Sequence, residues 1–307
     1  MPDKLSPLGI VSLRDLEFRL GFNRKVLTNA ADKAPRLYRP FTKPAPKPRI
    51  IDNPTGILKE IQARIQSSLL VKIQLPTHIQ GGVSKRSPIT NARKHLNADT
   101  VVTLDIRKCF PSITNQQVFH AWWKILGCSP RIARILTKLT TFERHLPQGA
   151  PTSTTLANIV LSEIDDQIDT LCEARNVTYS RFVDDLIFSG ADARTMINEV
   201  VKIVKTDGFR TPHAKIKIMG PRSRHQITGI IANRQLGITR ENKAKIRAAI
   251  QQLKRSKNAA QELRSLLGRI NFVSQVNPVV GASFNKLLGA QFPESAKKFH
   301  TASSQKP

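Results

Sequence analysis

The sequence predicts an α+β fold, and three features carry that expectation. Short runs of strand formers end on aspartates, apolar residues return at helical spacing between them, and the C-terminal stretch is basic and helical. Thr100-Val101-Val102-Thr103-Leu104 is a strand ending at Asp105, and Tyr179 to Gly190 holds two strand-forming runs around Asp184-Asp185. Aspartate is disfavoured in strands, and adjacent carboxylates beside an apolar wall repel each other. A hairpin turning at the pair gathers their oxygens in one small region. A cation offsets that cost, and Mg²⁺ is the usual hard-oxygen candidate. A polar turn between strands is the alternative reading of the same residues.

The elements follow in order. Leu13, Leu16, Phe18 and Leu20 predict helix over 11–31, with Gly21 as a stop. Residues 32–49 carry Lys33, Arg36, Arg39, Lys43, Lys47 and Arg49 among Pro35, Pro40, Pro44, Pro46 and Pro48, an extended basic segment that cannot be helix. Ile57, Leu58, Ile61, Ile65, Leu69 and Leu70 return to helical spacing over 57–73, and 116–126 and 130–140 predict two more helices. From Ser153 to Ala174 the residues Leu156, Ile159, Val160, Ile164, Ile168 and Leu171 trace one apolar face. The opposite face, with Glu163, Asp165, Asp166 and Asp169, is expected to be solvated. A helix at 193–205 and strands at 215–218 and 226–233 follow the hairpin. Thr239 caps a helix with Glu241 in its first turn. Two helices are read after it, one through Ile246, Ile250 and Leu253, the other through Leu263, Leu266, Leu267 and Ile270.

Charge bounds the partner. The 307 residues hold 49 Lys+Arg against 22 Asp+Glu, a net charge of +27. Such an excess opposes compaction and calls for a polyanion, with nucleic acid the first candidate and an anionic membrane surface the second. From Arg234 onward there are 14 basic residues against three acids, which suits a clamp on a phosphate backbone. No apolar run approaches the roughly 20 residues of a spanning helix, and the N-terminus lacks the apolar core of a signal peptide. Cys109, Cys128 and Cys172 are odd in number and widely spaced, so reduced, buried thiols in a cytoplasmic protein are expected.

Three pieces bear chemistry. In Leu104-Asp105-Ile106-Arg107-Lys108-Cys109-Phe110 an aspartate ends a buried-looking strand and a Phe follows five residues on. If that strand lies beside the Asp184 hairpin, the carboxylates converge at a sheet edge. They can then hold two Mg²⁺ ions, one activating a 3′-hydroxyl and one steadying a leaving pyrophosphate. In Leu146-Pro147-Gln148-Gly149-Ala150-Pro151-Thr152-Ser153, Gly149 permits close backbone approach to a ligand and Ser153 can cap the next helix.

Together and in this order the pieces resemble the reverse transcriptases, from about Lys43 to the tail. Asp105 falls in the first acidic motif, Leu146 to Ser153 in the Pro-Gln-Gly motif, and Phe182 to Asp185 in the aromatic-x-Asp-Asp motif. Within that superfamily the chain is most similar to bacterial retron enzymes. Asn91-Ala92-Arg93-Lys94-His95 looks like their Asn-Ala-x-x-His motif, and Ile227-Thr228-Gly229 like their Val-Thr-Gly.

The resemblance implies a right-hand polymerase with fingers, a palm of antiparallel sheet with helices, and a helical thumb. The expected boundaries are 1–104 for the N-terminal helix and fingers, 105–233 for the palm, with 116–146 returning to the fingers, and 234–307 for thumb and tail. It implies Asp105, Asp184 and Asp185 as ligands of two Mg²⁺ ions, with the Ile106 carbonyl added. It makes Lys215 the acid for pyrophosphate, a phosphate contact being its other reading, Phe110 the gate against a ribose 2′-hydroxyl, with ordinary core as the alternative, and Gln148 and Gly149 the pocket lining. Lys43 and Arg49 would grip the triphosphate, general RNA binding being their other reading. Arg86, Asn91, His95, Arg222, Arg224, Lys243, Lys245, Arg247, Lys254 and Arg255 are the expected RNA contacts; for Asn91 and His95 the other reading is a fold-specific one, helix capping and a satisfied histidine, and for the basic residues a solvated face.

Implied partners are deoxynucleotides, a cognate structured non-coding RNA that is template and primer, its branched RNA–DNA product, and an effector protein in anti-phage defence. The chain departs from the retron pattern at Phe182 and Val183, where Tyr and Ala are commoner, at Pro212 and at Ser84-Lys85-Arg86. A group II intron-like or diversity-generating reverse transcriptase, a non-catalytic RNA scaffold and a Mg²⁺-dependent nuclease are the alternatives. The intact acids speak against the scaffold, and the Gln148-Gly149 motif speaks against the nuclease.

Overall fold

The computed structural model describes residues 5–44, 48–253 and 258–292. They pack as two compact units, one from Met1–Ser87 and Thr100–Ile218, the other from Pro88–Asp99 and Met219–Pro307.

The first unit opens with α1 (Leu13–Leu20), which ends at Gly21 as expected, and α2 (Arg24–Lys33). The basic proline-rich segment then closes into an antiparallel hairpin, β1 (Tyr38–Lys43) with β2 (Arg49–Pro54). This corrects the reading of 32–49 as extended and without helix: α2 runs to Lys33, a 3-10 turn with Pro35 near its start spans Ala34–Leu37, and the rest is hairpin. Pro40 is tolerated because the hairpin is a two-stranded sheet in which every strand is an edge. α3 (Gly56–Ser68) buries Leu58, Ile61 and Ile65, and the next segment, α4 (Pro88–Arg93), belongs to the second unit.

Back in the first unit come β3 (Val101–Asp105), α5 (Cys109–Ser112), α6 (Asn115–His120) with a π-helical extension at Ala121–Ile125, and α7 (Pro130–Thr140). The predicted single helix from Ser153 is two, α8 (Ser153–Val160) and α9 (Ser162–Glu173), meeting at Leu161. The N-cap of α8 is Thr152 with no side-chain capping bond, so Ser153 lies inside the helix instead of capping it.

β4 (Thr178–Phe182) and β5 (Asp185–Ser189) form the predicted hairpin. After α10 (Ile197–Thr206) comes β6 (Lys217–Met219), completing a four-stranded sheet in the order β4-β5-β3-β6. The register sets Val102 opposite Phe188, Leu104 opposite Leu186 and Tyr179 opposite Phe188, so these buried side chains share one face of the sheet. Each contributes about 1.5–3 kcal/mol on burial. Tyr179 and Phe188 stack with ring centroids 5.1 Å apart.

In the second unit β7 (Gln226–Ile227), β8 (Ile230–Ala232) and β9 (Leu236–Ile238) form a three-stranded sheet, so the single strand expected at 226–233 is a hairpin. Its turn is Thr228-Gly229, with φ of 47° and 84°, the positive pair of a type I′ turn. Three helices follow: α11 (Arg240–Leu253), α12 (Ala259–Val276) and α13 (Pro278–Gln291). Thr239 caps α11 by accepting from the Asn242 N–H at 3.2 Å; α13 was not foreseen. The three cysteines are free and buried, and burial pushes the Cys109 thiol up to about 12. No helix among the described residues is long and apolar enough to cross a membrane.

Candidate active site

Antiparallel pairing of β3 with β5 sets Asp105 directly opposite Asp185, and pairing of β4 with β5 sets Phe182 opposite Asp185. Val183 and Asp184 are then the two-residue turn between β4 and β5. The Ile106 N–H donates to the Asp184 carbonyl at 2.8 Å, tying the turn to the chain that leaves β3. Burial, then the charges of Asp184 and Asp105, raise the Asp185 carboxyl to about 6. Asp184 is raised by burial and by Asp105, against the opposing pull of Lys215 and Arg49. Lys215 Nζ is paired with Asp105 Oδ1.

Three carboxylates thus stand in a half-buried, self-repelling group, the condition that a divalent cation relieves. Among the described residues no three His, Cys, Asp or Glu side chains form a metal cage by themselves. An open arrangement suits Mg²⁺, which keeps several waters and is commonly held by one or two carboxylates together with substrate phosphates. The donor chemistry therefore fits such an ion.

Val183 sits at φ +60°. A β-branched residue there is an outlier, with a cost of order 1–3 kcal/mol. The backbone of Gly81 lies against this turn: a Cβ on Gly81 would fall 2.3 Å from the Val183 nitrogen and 2.9 Å from the Phe182 carbonyl carbon. Gly81→Ala should accordingly displace the turn and reduce polymerisation by about 10-fold or more, since small misplacements of reacting groups carry losses of that size. A primer-extension rate equal to wild type would show that the turn can shift freely.

The β1–β2 hairpin pairs Lys43 with Arg49 in register. Like charges directly opposite are unfavourable unless an anion lies between them. The Leu146–Ser153 loop is fastened to this hairpin by a residue that sequence reasoning missed, Asp52. Its N–H donates to the Gln148 carbonyl at 2.8 Å. Its Oδ2 accepts from the Gln148 N–H at 3.1 Å and meets His145 Nε2 at 3.2 Å. A Cβ on Gly149 would lie 2.6 Å from Ile51 Cγ2, so the loop's backbone closes directly onto β2. Phe110 is partly buried in α5 against the core.

The other expected residues divide. Arg86 points its guanidinium inward, donating to the carbonyls of Pro76 and Ile79 and, at 2.8 Å, to that of Leu75. It braces its own loop. Asn91 and His95 are fully buried, and burial, with the neighbouring Lys94 charge, lowers His95 to about 3, so it is neutral. Both side chains lie inside the second unit. Arg222 and Arg224 are exposed. Lys245 is exposed and pairs with Glu241 at 2.5 Å. Lys243 is half-buried, and Arg247 lies 5.9 Å from the centre of the Phe284 ring. Lys254 and Arg255 lie outside the described residues.

The carboxylate expected to be solvated on the acidic face of α9 is the largest correction. Asp165 is fully buried, ion-paired to the equally buried Arg181 of β4 at 2.6 Å, because that helix packs onto the sheet. The sequence signal for it is a lone Arg between Tyr179 and Phe182 in an otherwise uncharged strand.

Residues 41–246 match the family described as Reverse transcriptase (RNA-dependent DNA polymerase). The chain is 30% identical over 258 residues to the Retron Ec86 reverse transcriptase of Escherichia coli, covering 82% of this chain and 80% of that one. It is also 30% identical over 251 residues to the Retron Mx65 reverse transcriptase of Myxococcus xanthus, covering 75% of this chain and 58% of that protein. The Retron Mx162 reverse transcriptase of the same organism is 27% identical over 275 residues, covering 77% and 56%. With a family match across most of its length and retron relatives over the same span, the chain belongs to the reverse transcriptases, RNA-dependent DNA polymerases, and to their retron type.

Proposed function

We propose that this enzyme copies part of a cognate structured non-coding RNA into DNA, starting from an RNA 2′-hydroxyl, and so makes a branched RNA–DNA product. The observation that carries a polymerase chemistry is the register that opposes Asp105 and Asp185 beside the Asp184 turn. Enzymes of this family use divalent metal ions. Two Mg²⁺ ions, bound by Asp105, Asp184 and Asp185 with the Ile106 carbonyl, would activate the attacking hydroxyl and neutralise the leaving pyrophosphate.

The chain's own residues do the rest. Lys43 and Arg49 grip the triphosphate, Arg through paired donors that match phosphate oxygens. Gln148 and Gly149, fastened through Asp52, line the nucleotide pocket. Phe110 fills the space that a ribose 2′-hydroxyl needs. Lys215 leaves Asp105 to protonate the pyrophosphate. Arg222, Arg224, Lys243 and Arg247 bear on the RNA backbone, an interaction that weakens with salt. The complex works with an effector protein in anti-phage defence, in the bacterial cytoplasm.

The test is to sequence the nucleic acid that copurifies with the protein and to treat it with a 2′–5′ debranching enzyme. DNA released from an RNA branch is the expected result. DNA with a free 5′ end would overturn the 2′-hydroxyl priming and the branched product, and a group II intron-like or diversity-generating mode of priming would replace them. In the same assay Phe110→Ala should raise ribonucleotide incorporation about 10-fold relative to wild type, the scale of one pocket contact. No change would remove Phe110 from the gate.

A further inference from the structure

We propose that Arg181, with Asp165 and Asn158, is a positioning device that holds the Val183–Asp184 turn in its strained shape and so sets the Asp184 and Asp185 carboxylates for metal. The inference rests on the reading of those two aspartates as metal ligands.

The strain requires a cause. Val183 holds φ +60°, and such outliers persist only where surrounding structure over-determines them. Gly in a turn of this kind would need no such support. The support runs from the core. Arg181 Nη1 donates to the Val183 carbonyl at 2.9 Å and to Asn158 Oδ1 at 2.9 Å. The guanidinium is itself fixed, since Nε donates to Asp165 Oδ1 at 2.8 Å and Nη2 to Asp165 Oδ2 at 2.6 Å. Asp165 is held in turn by the Tyr179 hydroxyl at 2.7 Å.

A second arm returns to the turn from its other side. Asn158 Nδ2 donates to the Gly81 carbonyl at 2.9 Å, and the Gly81 backbone abuts the Val183 nitrogen. Arg181 also fastens that loop through its main chain, accepting from the Gln80 N–H at 2.7 Å and donating to the His78 carbonyl at 2.8 Å. The turn is therefore hydrogen-bonded at the Val183 carbonyl and packed against at its nitrogen side, by two arms that meet at Asn158. A buried ion pair is weak support for stability, since apolar replacements are often as stable. Reaching a strained carbonyl next to a metal ligand is a task that apolar side chains cannot perform.

The experiment measures Mn²⁺ alone binding to the full chain by electron paramagnetic resonance, with amide hydrogen exchange across 179–189 and melting temperature alongside. Arg181→Lys and Asn158→Ala are the variants, and Asn158→Ala leaves the Arg181–Asp165 pair intact should Arg181→Lys not fold. Each should weaken Mn²⁺ by about 10-fold, the scale seen when groups that orient metal ligands are removed. Exchange at the turn should rise in parallel. Adding Val183→Gly to either variant should restore Mn²⁺ affinity to within about two-fold, because glycine takes this φ without strain. The melting temperature should not recover, and a merely structural role predicts no rescue at all.

If Asp184→Asn with Asp185→Asn binds Mn²⁺ as wild type does, the metal-site reading falls and this inference with it. If that double variant loses Mn²⁺ while Asn158→Ala and Arg181→Lys bind normally, or if Val183→Gly rescues neither, the positioning role alone is wrong.

Discussion

Replacing Asp184 and Asp185 together by Asn is expected to lower DNA synthesis by on the order of 10³-fold or more, the scale of losing preorganised electrostatic stabilisation at a reacting centre. RNA binding should persist with an unchanged salt slope, because it draws on the basic surface and not on the carboxylates. The fold should persist too. Asn keeps the shape of Asp, and the substitution removes the repulsion and the cost of burying charge that raise both carboxyls. The metal-free double variant should therefore melt at or above the wild-type temperature. Primer extension, filter binding against salt and thermal denaturation check the three statements. Full-length extension by the double variant would remove both residues from the metal site.

The second large effect is on stability. Asp165→Ala leaves Arg181 charged and fully buried without its partner. Breaking a buried pair from one side costs about 3–5 kcal/mol, a large share of the roughly 5–15 kcal/mol by which proteins are stable. The denaturation midpoint should fall accordingly. Exchanging both partners for apolar residues of similar volume, Asp165→Leu with Arg181→Met, should return most of that stability. It should not return polymerisation, because the Val183 carbonyl then lacks its donor. A wild-type midpoint for Asp165→Ala would mean that the guanidinium finds water. Wild-type activity in the apolar pair would mean that the turn holds itself.

Much of the site was legible because its signals are local. Strand formers on both sides of Asp184-Asp185 announce a hairpin whatever surrounds them, and Asp105 closes a run of the same kind. The Pro-Gln-Gly stretch announces a close approach at Gly149, expected toward a ligand; the neighbour the fold supplies is Ile51 of β2. Polar and charged side chains were read less well. Arg86, Asn91, His95 and Asp165 look like surface residues in a linear sequence, because polarity is the signal for exposure. In the fold Arg86 turns onto backbone carbonyls, Asp165 meets Arg181, and Asn91 and His95 are sealed in the second unit. Prolines misled in the same way at 32–49. They exclude a long helix, yet Pro35 opens a 3-10 turn, and prolines also occur in a two-stranded hairpin whose other strand could not be chosen in advance.

The sequence by itself determined the α+β class, the acidic and glycine-bearing motifs and the demand for a polyanionic partner, since periodicity, turn chemistry and net charge act over short range or over the whole chain. Only the tertiary structure decided that Asp105 faces Asp185, that Asp52 fastens the Gln148 loop, and that Arg181, paired with Asp165, reaches the Val183 carbonyl of the turn. Those pairings join residues far apart in sequence, and burial makes them selective: a charge removed from water must find its partner, and which one is within reach is settled by how helices and strands pack.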